Sequence, residues 1–522
     1  MPDTTIDQVV RSRAAQYGAK PMAVDQSGRL TYSDLEASTR VLAAIFVEAG
    51  VGKGTRVGLI MPNGVRWVQT AVALTRIGAV LVPLSTLLQP RELLAQLRVA
   101  SVQFLVTVEK FRGHRYLDDF RSALGSAQLG TDELLQHPDV PALRFIWTAD
   151  RLAGAAASEV ATSIIDPLTQ TVTASDPFAI VFTSGSSGPP KGVLHSHCSA
   201  LGAVQSGLRS RCIDSETRLY LPMPFFWVGG FGGGVLSALL AGATLVTEEI
   251  PRAQTTLRLL ERERVTLFRG WPDQAEALAR HHSAVEIDLS ALRAGSLDAL
   301  LPAEQRPAPG ARANLFGMTE SFGPYCGYPA DTDMPRPAWG SCGKPFPGME
   351  VRITDPDTGC SVAAGTVGMI QIRGPHTLRG ICRRSREEVF TADGFYSTGD
   401  LGHLDPDGFL FYHGRSDDMF KVSGATVYPS EVEQALKTIE GVGNAFVTNV
   451  AGAQGDQVGA VVVCNTATTT VEQLREAARR LLSSFKVPTL WLLMASDDDV
   501  PRGPTGKVDV RRLREMLAGV QR

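Results

Sequence analysis

The repeated alternation of amphipathic helices with short apolar strands most strongly limits what this chain can fold into. The apolar runs predict buried strands at 57–61, 79–83, 104–106, 179–182 and 243–246. Apolar residues at helical spacings predict helices at 35–49, 67–77 and 234–240. Because strand, helix and strand in succession form a parallel unit, we expect stacked α/β layers over about the first 400 residues.

The pattern changes after residue 340, where the strands become shorter and turns rich in Gly, Pro and Asp separate them. The elements predicted here are strands at 351–353, 369–372 and 461–464 and helices at 431–437 and 471–482. We expect the α/β fold class, with a large N-terminal domain over 1–414 that combines layered α/β subdomains and a β-rich subdomain. A small C-terminal α+β domain is expected over 415–522, and the polar segment 414–418 marks the boundary.

Composition excludes several classes of protein. With 44% apolar and 20% charged residues, the 522-residue chain can bury a large core, so it is neither disordered nor fibrous. Its 51 basic and 54 acidic residues leave a net charge of -3, and we expect no nucleic-acid partner. The seven cysteines include no C-x-x-C pair, and the longest apolar stretch, 235–246, is too short for a membrane span. Because no signal segment is visible, we expect a cytoplasmic protein with reduced thiols.

The strongest local signal is TSGSSGPPKG at 183–192, directly behind a predicted apolar strand. Its glycines let the backbone approach a phosphate, while its hydroxyls, amides and single lysine can bind one. The alternative is a flexible linker, which does not normally follow a buried strand or end in P-P-K-G. The loop is not a Walker A sequence, because Pro190 precedes Lys191. We therefore predict a phosphate-binding loop.

Three other segments are ambiguous when each is taken alone. NLFGMTE at 314–320 ends in oxygen ligands suited to Mg²⁺ beside a phosphate, or it is a helix entrance capped by Thr319. YSTGD at 396–400 reads as a tight turn whose carboxylate could hold a ribose diol. PRGPTGK at 501–507 carries a lysine on a Gly/Pro loop. GVLHSH places two histidines two residues apart, too few for a zinc site, so we expect them to pack near the nucleotide or substrate.

In this order and spacing the motifs resemble those of the adenylate-forming superfamily. Its members include acyl- and aryl-CoA synthetases, firefly luciferase and peptide-synthetase adenylation domains. The segment GRSDDMFKVSGATVYPSEVE at 414–433 strengthens the resemblance, which extends from DQSGRLTYSDLE at 25–36 to GKVD at 506–509. It implies that ATP activates a carboxylic acid to an acyl-AMP, with release of pyrophosphate, before the acyl group passes to an acceptor.

The resemblance also implies roles for individual residues in the first step. The ATP phosphates would be held by Thr183, Ser184, Gly185, Ser186, Ser187, Gly188 and Lys191. Phe316 would lie against the adenine, Asn314 would hydrogen-bond its edge, and Gly317 belongs to the same ATP-binding set. Asp400 would take the ribose hydroxyls, with Arg415 beside it. The catalytic residues would be Thr319 at the phosphate, Glu320 as the Mg²⁺ ligand, and Lys507, bridging the substrate carboxylate and the α-phosphate.

For the second step, the resemblance implies that the small domain rotates about Asp417 and that a channel admits the thiol of CoA. The channel would be lined by Lys421, Ser423 and Gly424. The acyl pocket would include Phe226, Trp227, Gly230 and Gly295. Trp227 lies at the position where many members of this superfamily carry a histidine that gates this pocket. The sequence therefore does not decide whether the substrate is a fatty, an aryl or an alicyclic acid.

The interpretation that follows is an AMP-forming acid–CoA ligase that uses ATP, Mg²⁺ and CoA. Two alternatives remain: an adenylating enzyme that makes an amide or loads a carrier protein, and a non-catalytic acyl-AMP-binding protein. The segment KVSGATVYPSEVE favours CoA as the acceptor, and the presence of Glu320, Asp400 and Lys507 disfavours the non-catalytic protein. The sequence does not decide the oligomeric state, and a homodimer is among the states that it allows.

Overall fold

The computed structural model describes residues 4–125, 134–183, 190–282, 286–416, 420–422, 425–452, 455–465, 469–482, 486–502 and 508–520. The chain forms two compact units. The first comprises Met1–Glu350 and Arg373–Phe395, and the second comprises Val351–Ile372 and Tyr396–Arg522. Both combine helices with sheets, so the predicted α/β class is confirmed. The strands of the β-rich region pack with the C-terminal residues, and the predicted domain boundary at 414/415 stays a prediction.

A seven-stranded sheet forms the centre of the first unit. In spatial order its strands are Gly380–Ile381, Lys191–Ser196, Pro177–Thr183, Val80–Pro83, Arg56–Ile60, Phe104–Thr107 and Phe145–Thr148. The last five run parallel, whereas Lys191–Ser196 is antiparallel to both of its neighbours. Every residue of Val80–Pro83 and Phe104–Thr107 is buried. Such continuous apolar runs are typical of parallel strands covered on both faces, which is why the sequence predicted them closely.

The described residues of the first unit also form two smaller sheets. A five-stranded sheet has the order Leu267–Phe268, Arg218–Tyr220, Thr244–Val246, Pro21–Val24 and Arg29–Thr31. A three-stranded antiparallel sheet has the order Phe316–Met318, Gly323–Gly327 and Lys344–Pro345. The helices of this unit are Ile6–Tyr17, Tyr32–Glu48, Val65–Arg76, Pro90–Val99, Tyr116–Leu124, Ala149–Gly154, Glu159–Ser163, Ile165–Gln170, His197–Gly207, Val228–Gly230, Ser237–Ala241, Ala253–Arg262, Pro272–His282 and Arg386–Val389.

The helix predicted at 234–240 is only partly correct. The structure has a π-helix at Phe231–Leu236 that continues as the α-helix Ser237–Ala241. The Ser237 hydroxyl donates to the carbonyl oxygen of Gly232, five residues earlier, at 2.6 Å. Consecutive glycines have low helix propensity and no side chains to resist this wider winding. The spacing of apolar residues alone therefore could not predict the π-helix.

Among its described residues, the second unit forms three sheets and three α-helices. A four-stranded sheet has the order Glu350–Thr354, Gly368–Arg373, Tyr396–Leu404 and Leu410–Arg415. Phe420–Val422 pairs with Ala425–Val427, and a third sheet has the order Val442–Gly452, Gly455–Cys464 and Leu490–Met494. The helices are Pro429–Lys437, Val471–Leu481 and Val510–Gly519. Within the described ranges, no helix has both the length and the apolar character that crossing a bilayer requires.

A buried guanidinium joins the first three long helices. Arg76 is fully buried, and its Nε donates to Asp7 Oδ1 at 2.7 Å. Its Nη1 donates to the Glu36 carbonyl oxygen at 2.9 Å and to Thr39 Oγ1 at 2.8 Å, and Nη2 lies 3.1 Å from Glu36 Oε1. Each nitrogen therefore faces an acceptor, which compensates for the desolvation of the charge.

Arg76→Met should lower the free energy of unfolding by about 3 kcal/mol, because it removes one partner of a buried ion pair. The matched control is Arg66→Met, whose guanidinium pairs with Asp150 at 3.2 Å while both side chains are more than half exposed. That control should lose less than about 1 kcal/mol. Urea unfolding of the three proteins measures both values, and equal losses in the two variants would contradict the assigned role.

His197 is a buried neutral histidine at the start of the helix His197–Gly207. Its Nδ1 accepts the N–H of Ile6 at 3.2 Å, and its ring meets the Phe178 ring edge-on at 4.9 Å between centroids. Burial lowers the pKa of His197 to about 4. In the unfolded chain this histidine therefore takes up a proton near pH 6.5, whereas in the folded protein it does so only near pH 4. The stabilisation that comes from keeping the ring neutral is fully present above pH 6.5 and is lost as the pH falls.

His197→Asn keeps an acceptor near the Nδ1 position but removes the titration. Between pH 6.5 and 4.5 the unfolding free energy of the parent should fall more steeply than that of the variant, by up to about 1.4 kcal/mol per pH unit. Urea unfolding across this range gives the two slopes. The exposed residue His281 provides the control variant His281→Asn. Parallel slopes for the parent and His197→Asn would show that His197 is charged in the folded state.

Candidate active site

The glycine-rich segment connects two paired strands of the large sheet. Pro177–Thr183 and Lys191–Ser196 are antiparallel, and their register pairs Thr183 with Lys191. Thr183 is half-buried and Lys191 is exposed. The predicted phosphate ligands Ser184, Gly185, Ser186, Ser187 and Gly188 lie outside the described residues. The structure thus brings the two flanking residues of the predicted phosphate loop opposite each other.

The segment with Phe316 and Thr319 begins as a short strand and ends in a 3₁₀ turn at Thr319–Ser321. Thr319 is the first residue of this single turn, and the residue at the cap position is Met318. The alternative of a helix capped by Thr319 is therefore wrong. A Cβ atom on Gly317 would lie 2.1 Å from the carbonyl oxygen of Gly323, so only glycine permits this close pairing. The half-buried ring of Phe316 packs edge-on against Tyr325, with centroids 5.6 Å apart. Asn314 is exposed two residues earlier.

A buried histidine connects this turn to the hairpin. His195 is fully buried, and its Nε2 lies 2.8 Å from the carbonyl oxygen of Thr319. Because a carbonyl only accepts, Nε2 carries the proton, and Nδ1 faces the Ser199 hydroxyl at 3.4 Å. Burial lowers the pKa of His195 to about 4, which keeps the ring neutral at pH 7. On the next residue, the carbonyl oxygen of Glu320 accepts the N–H of Leu378 at 2.7 Å.

The oxygen donors of this turn suit a magnesium ion. Thr319 offers a hydroxyl and Glu320 a carboxylate, and Mg²⁺ typically takes one or two protein carboxylates together with substrate phosphates. Glu320 is 5% exposed. Within the described part of the chain, no group of three or more His, Cys, Asp and Glu side chains is placed to hold a metal by itself. The residues therefore fit an ion that enters with a polyphosphate.

Asp400 and Arg415 lie side by side in the second unit. The predicted tight turn at 396–400 is wrong, because these residues begin the strand Tyr396–Leu404. Asp400 pairs in register with Arg415 on the neighbouring strand, and Arg415 Nη1 lies 3.3 Å from Asp400 Oδ1. Gly399 has φ +77, and a Cβ there would lie 2.7 Å from Arg415 Nη2. The structure thus brings together the two residues expected at the ribose.

Several predicted residues lie outside the described residues. These are the hinge residue Asp417, the channel residues Ser423 and Gly424, and Lys507. Lys421 belongs to the strand Phe420–Val422 and pairs in register with Thr426. The roles expected for all five stay predictions.

The predicted acyl-pocket residues include an aromatic cluster. The rings of Phe226 and Trp227 meet at 5.3 Å and those of Trp227 and Trp271 at 5.9 Å, both edge-on. A Cβ on Gly230 would lie 2.1 Å from the carbonyl oxygen of Pro224, so Gly230 is required by packing. Gly295 is buried with φ +92. The sequence analysis did not single out Trp271, which follows the strand Leu267–Phe268 by three residues.

A cleft lies beside this cluster, at the carboxyl ends of parallel strands. Asn63, Thr86, Phe226 and Glu248 are among its lining residues. The side chain of Asn63 holds the segment that carries Phe226: Nδ2 donates to the Met223 carbonyl oxygen at 2.9 Å, and Oδ1 accepts the Phe225 N–H at 2.8 Å. Ligands of open α/β sheets bind at such strand ends, which makes this cleft a candidate approach to the pocket.

Two further side chains near the predicted pocket were missed by the sequence reasoning. Arg211 is 6% exposed, and Arg269 donates from Nη1 to the carbonyl oxygen of Gly295 at 2.7 Å. Arginine is common in this chain, and no local sequence pattern distinguishes Arg211 and Arg269 from the arginines on the surface.

Known proteins resemble this chain over most of its length. The family model described as AMP-binding enzyme matches residues 10–382. A CoA ligase for 3-[(3aS,4S,7aS)-7a-methyl-1,5-dioxo-octahydro-1H-inden-4-yl]propanoate in Mycobacterium tuberculosis is 30% identical, over 94% of this chain and 95% of its own. Its namesake in Rhodococcus jostii is 29% identical, over 98% of both chains.

The fold is also that of a solved structure, ATP-bound MatB from Rhodopseudomonas palustris. It has a TM-score of 0.80 and 23% identity, with 99% of this chain and 100% of that chain covered. The family model covers well over half of the chain, and a relative of 30% identity spans nearly all of it. The chain therefore belongs to the AMP-binding enzyme family.

Proposed function

We propose that this chain is an AMP-forming acid–CoA ligase. ATP activates a carboxylic acid to an acyl-AMP with release of pyrophosphate, and the thiol of CoA then displaces AMP to give an acyl-CoA. The observation that carries this proposal is the hydrogen bond between His195 and Thr319, which joins the strand behind the glycine-rich loop to the turn that holds Glu320. Relatives that match nearly the whole chain are named as CoA ligases, which supports CoA as the acceptor.

The chemistry of the first step explains why these groups are needed. A carboxylate must approach a polyphosphate, so the barrier is largely electrostatic repulsion between anions. Cations fixed in advance lower that barrier without reorganising during the reaction. Lys191 at the end of the loop would bind phosphate, and Glu320 with Thr319 would hold Mg²⁺, which supplies further positive charge when bound. Asp400 would hold the ribose hydroxyls, and Arg415 would keep that carboxylate in position.

The second step needs different groups from the first. Lys507 would bridge the carboxylate and the α-phosphate during adenylation and withdraw when the C-terminal domain rotates about Asp417. Lys421, Ser423 and Gly424 would then line the path of the thiol. An amine or carrier-protein acceptor is the rival activity, and the names of the relatives favour CoA over it.

The acid itself is expected to have an apolar body. Phe226, Trp227 and Trp271 provide aromatic surface, which suits an aryl, alicyclic or fatty acid. The relatives act on acids of each kind, since their names include 3-hydroxybenzoate, a dioxo-octahydroindenyl propanoyl group and medium-chain acyl groups.

A panel of carboxylic acids tests the proposal directly. Pyrophosphate release is measured with ATP and Mg²⁺, with and without CoA, and the products are identified by mass. We expect acid-dependent pyrophosphate release and, with CoA, accumulation of one acyl-CoA. Pyrophosphate release that yields a product only with an amine or a carrier protein would favour the rival activity. No acid-dependent release from any acid would contradict adenylation.

Lys507→Ala should separate the two half-reactions. Acyl-adenylate formation should slow by at least ~10²–10³, because one preorganised donor is lost. Thioester formation from supplied acyl-AMP should change much less. Lys437→Ala, at an exposed lysine ending the helix Pro429–Lys437, is the matched control and should affect neither step. An equal loss in both half-reactions would show that Lys507 does not act in adenylation alone.

A further inference from the structure

Two histidines of the second unit form a hydrogen bond to which the proposed reaction assigns no role. His403 Nδ1 lies 2.8 Å from His413 Nε2, across the neighbouring strands Tyr396–Leu404 and Leu410–Arg415. The ring of His403 also stacks on that of Phe411, with centroids 4.8 Å apart and planes inclined by 4°. Both histidines are half-buried. The pair is therefore a contact between two strands that packing holds in place.

His413 is the extra residue of a β-bulge. The pairing of the two strands differs by one position on either side of it. Beyond the bulge, Asp400 pairs with Arg415, whereas in the unshifted register Asp400 would pair with Gly414. Bulges are frequent beside active sites, because the extra residue redirects the side chains that follow it. The bulge at His413 thus determines which residue the carboxylate of Asp400 meets.

Two contacts hold the bulge, one at its main chain and one at its side chain. The hydroxyl of Ser430, in the first turn of the helix Pro429–Lys437, donates to the carbonyl oxygen of His413. Gly414 has φ +134, which permits the bend that follows. The imidazole of His413 is held by His403. The serine contact does not titrate near neutral pH, whereas the histidine contact can.

The hydrogen bond between the rings requires that one of the two facing nitrogens lacks a proton. It can form when the pair is neutral or carries one charge, but not when both rings are protonated. Burial lowers the pKa of both His403 and His413, and the charge of His403 lowers that of His413 further. Asp405 acts on His403 and Glu431 on His413 in the opposite direction, and Glu431 is itself paired with Lys486 at 2.5 Å. The pair is therefore intact at neutral pH and is lost as the pH falls.

We propose that His403 and His413 position Arg415 against Asp400 by fixing the bulge, and that protonation of both rings releases this arrangement and weakens the binding of ATP. This inference rests on the proposed function, because it takes Asp400 as the residue that holds the ribose hydroxyls. The two histidines act through Arg415, so they are positioning residues. The affinity for ATP is then lower in acidic solution.

The test measures ATP binding without acid or CoA, by isothermal titration calorimetry between about pH 5.5 and about pH 7.5. In His413→Gln an amide replaces Nε2, so a hydrogen bond to His403 is kept while the second titrating ring is removed. From the upper to the lower pH the parent should lose about 10-fold in affinity relative to His413→Gln. Titration of the ATP phosphates is common to both proteins and cancels in this ratio. His413→Leu removes the hydrogen bond and should bind ATP about 10-fold more weakly than the parent at the upper pH.

The control is His137→Gln, at a half-buried histidine of the first unit whose Nδ1 accepts the N–H of Asp139 at 3.2 Å. Its affinity should follow that of the parent at every pH. Melting curves establish folding, and if His413→Leu does not fold, the comparison of His413→Gln with the parent decides. Parallel pH profiles for those two proteins would overturn the inference and leave the ligase proposal intact. Failure of the parent to bind ATP at any pH would contradict the proposed function, and the inference with it.

Discussion

The hydrogen bond from His195 to the carbonyl of Thr319 is the contact on which the proposed active site of this acid–CoA ligase depends. It joins the strand that follows the glycine-rich loop to the turn with the hydroxyl and carboxylate oxygens. The bond requires a proton on Nε2, and burial keeps the ring otherwise neutral by holding the pKa of His195 well below its ordinary value. Both segments that are proposed to bind the polyphosphate are therefore positioned by the core of the first unit.

The sequence predicted the central strands well because they are buried on both faces. Val80–Pro83 and Phe104–Thr107 need no alternation of polar and apolar residues, so a simple apolar run identifies them. The long hairpin of Val442–Gly452 with Gly455–Cys464 was largely missed, because exposed and half-buried positions interrupt the apolar pattern of its first strand. The strand Lys191–Ser196 was also missed, because the residues at its ends are polar and interrupt the apolar run.

The motifs predicted the candidate residues better than their local structure. YSTGD was interpreted as a turn because glycine and aspartate favour turns, yet Gly399 uses its positive φ inside a strand to make room for Arg415. A single chain carries no signal that separates these two uses of glycine. Arg211 and Arg269 were invisible for a related reason, since the chemistry of a lone arginine depends on which groups the fold brings near it.

The guanidinium groups in the interior of the first unit have two different kinds of hydrogen-bond partner. Arg76 is surrounded by Asp7, Glu36 and Thr39, so its charge is balanced by the protein and it serves the packing of three helices. Arg211 receives only main-chain carbonyls, and Arg269 is bound to one as well. Carbonyl groups orient a guanidinium but do not neutralise it. Burial lowers the pKa of Arg211 to about 10 and also lowers the pKa of Arg269, on which the charge of Asp298 acts in the opposite direction.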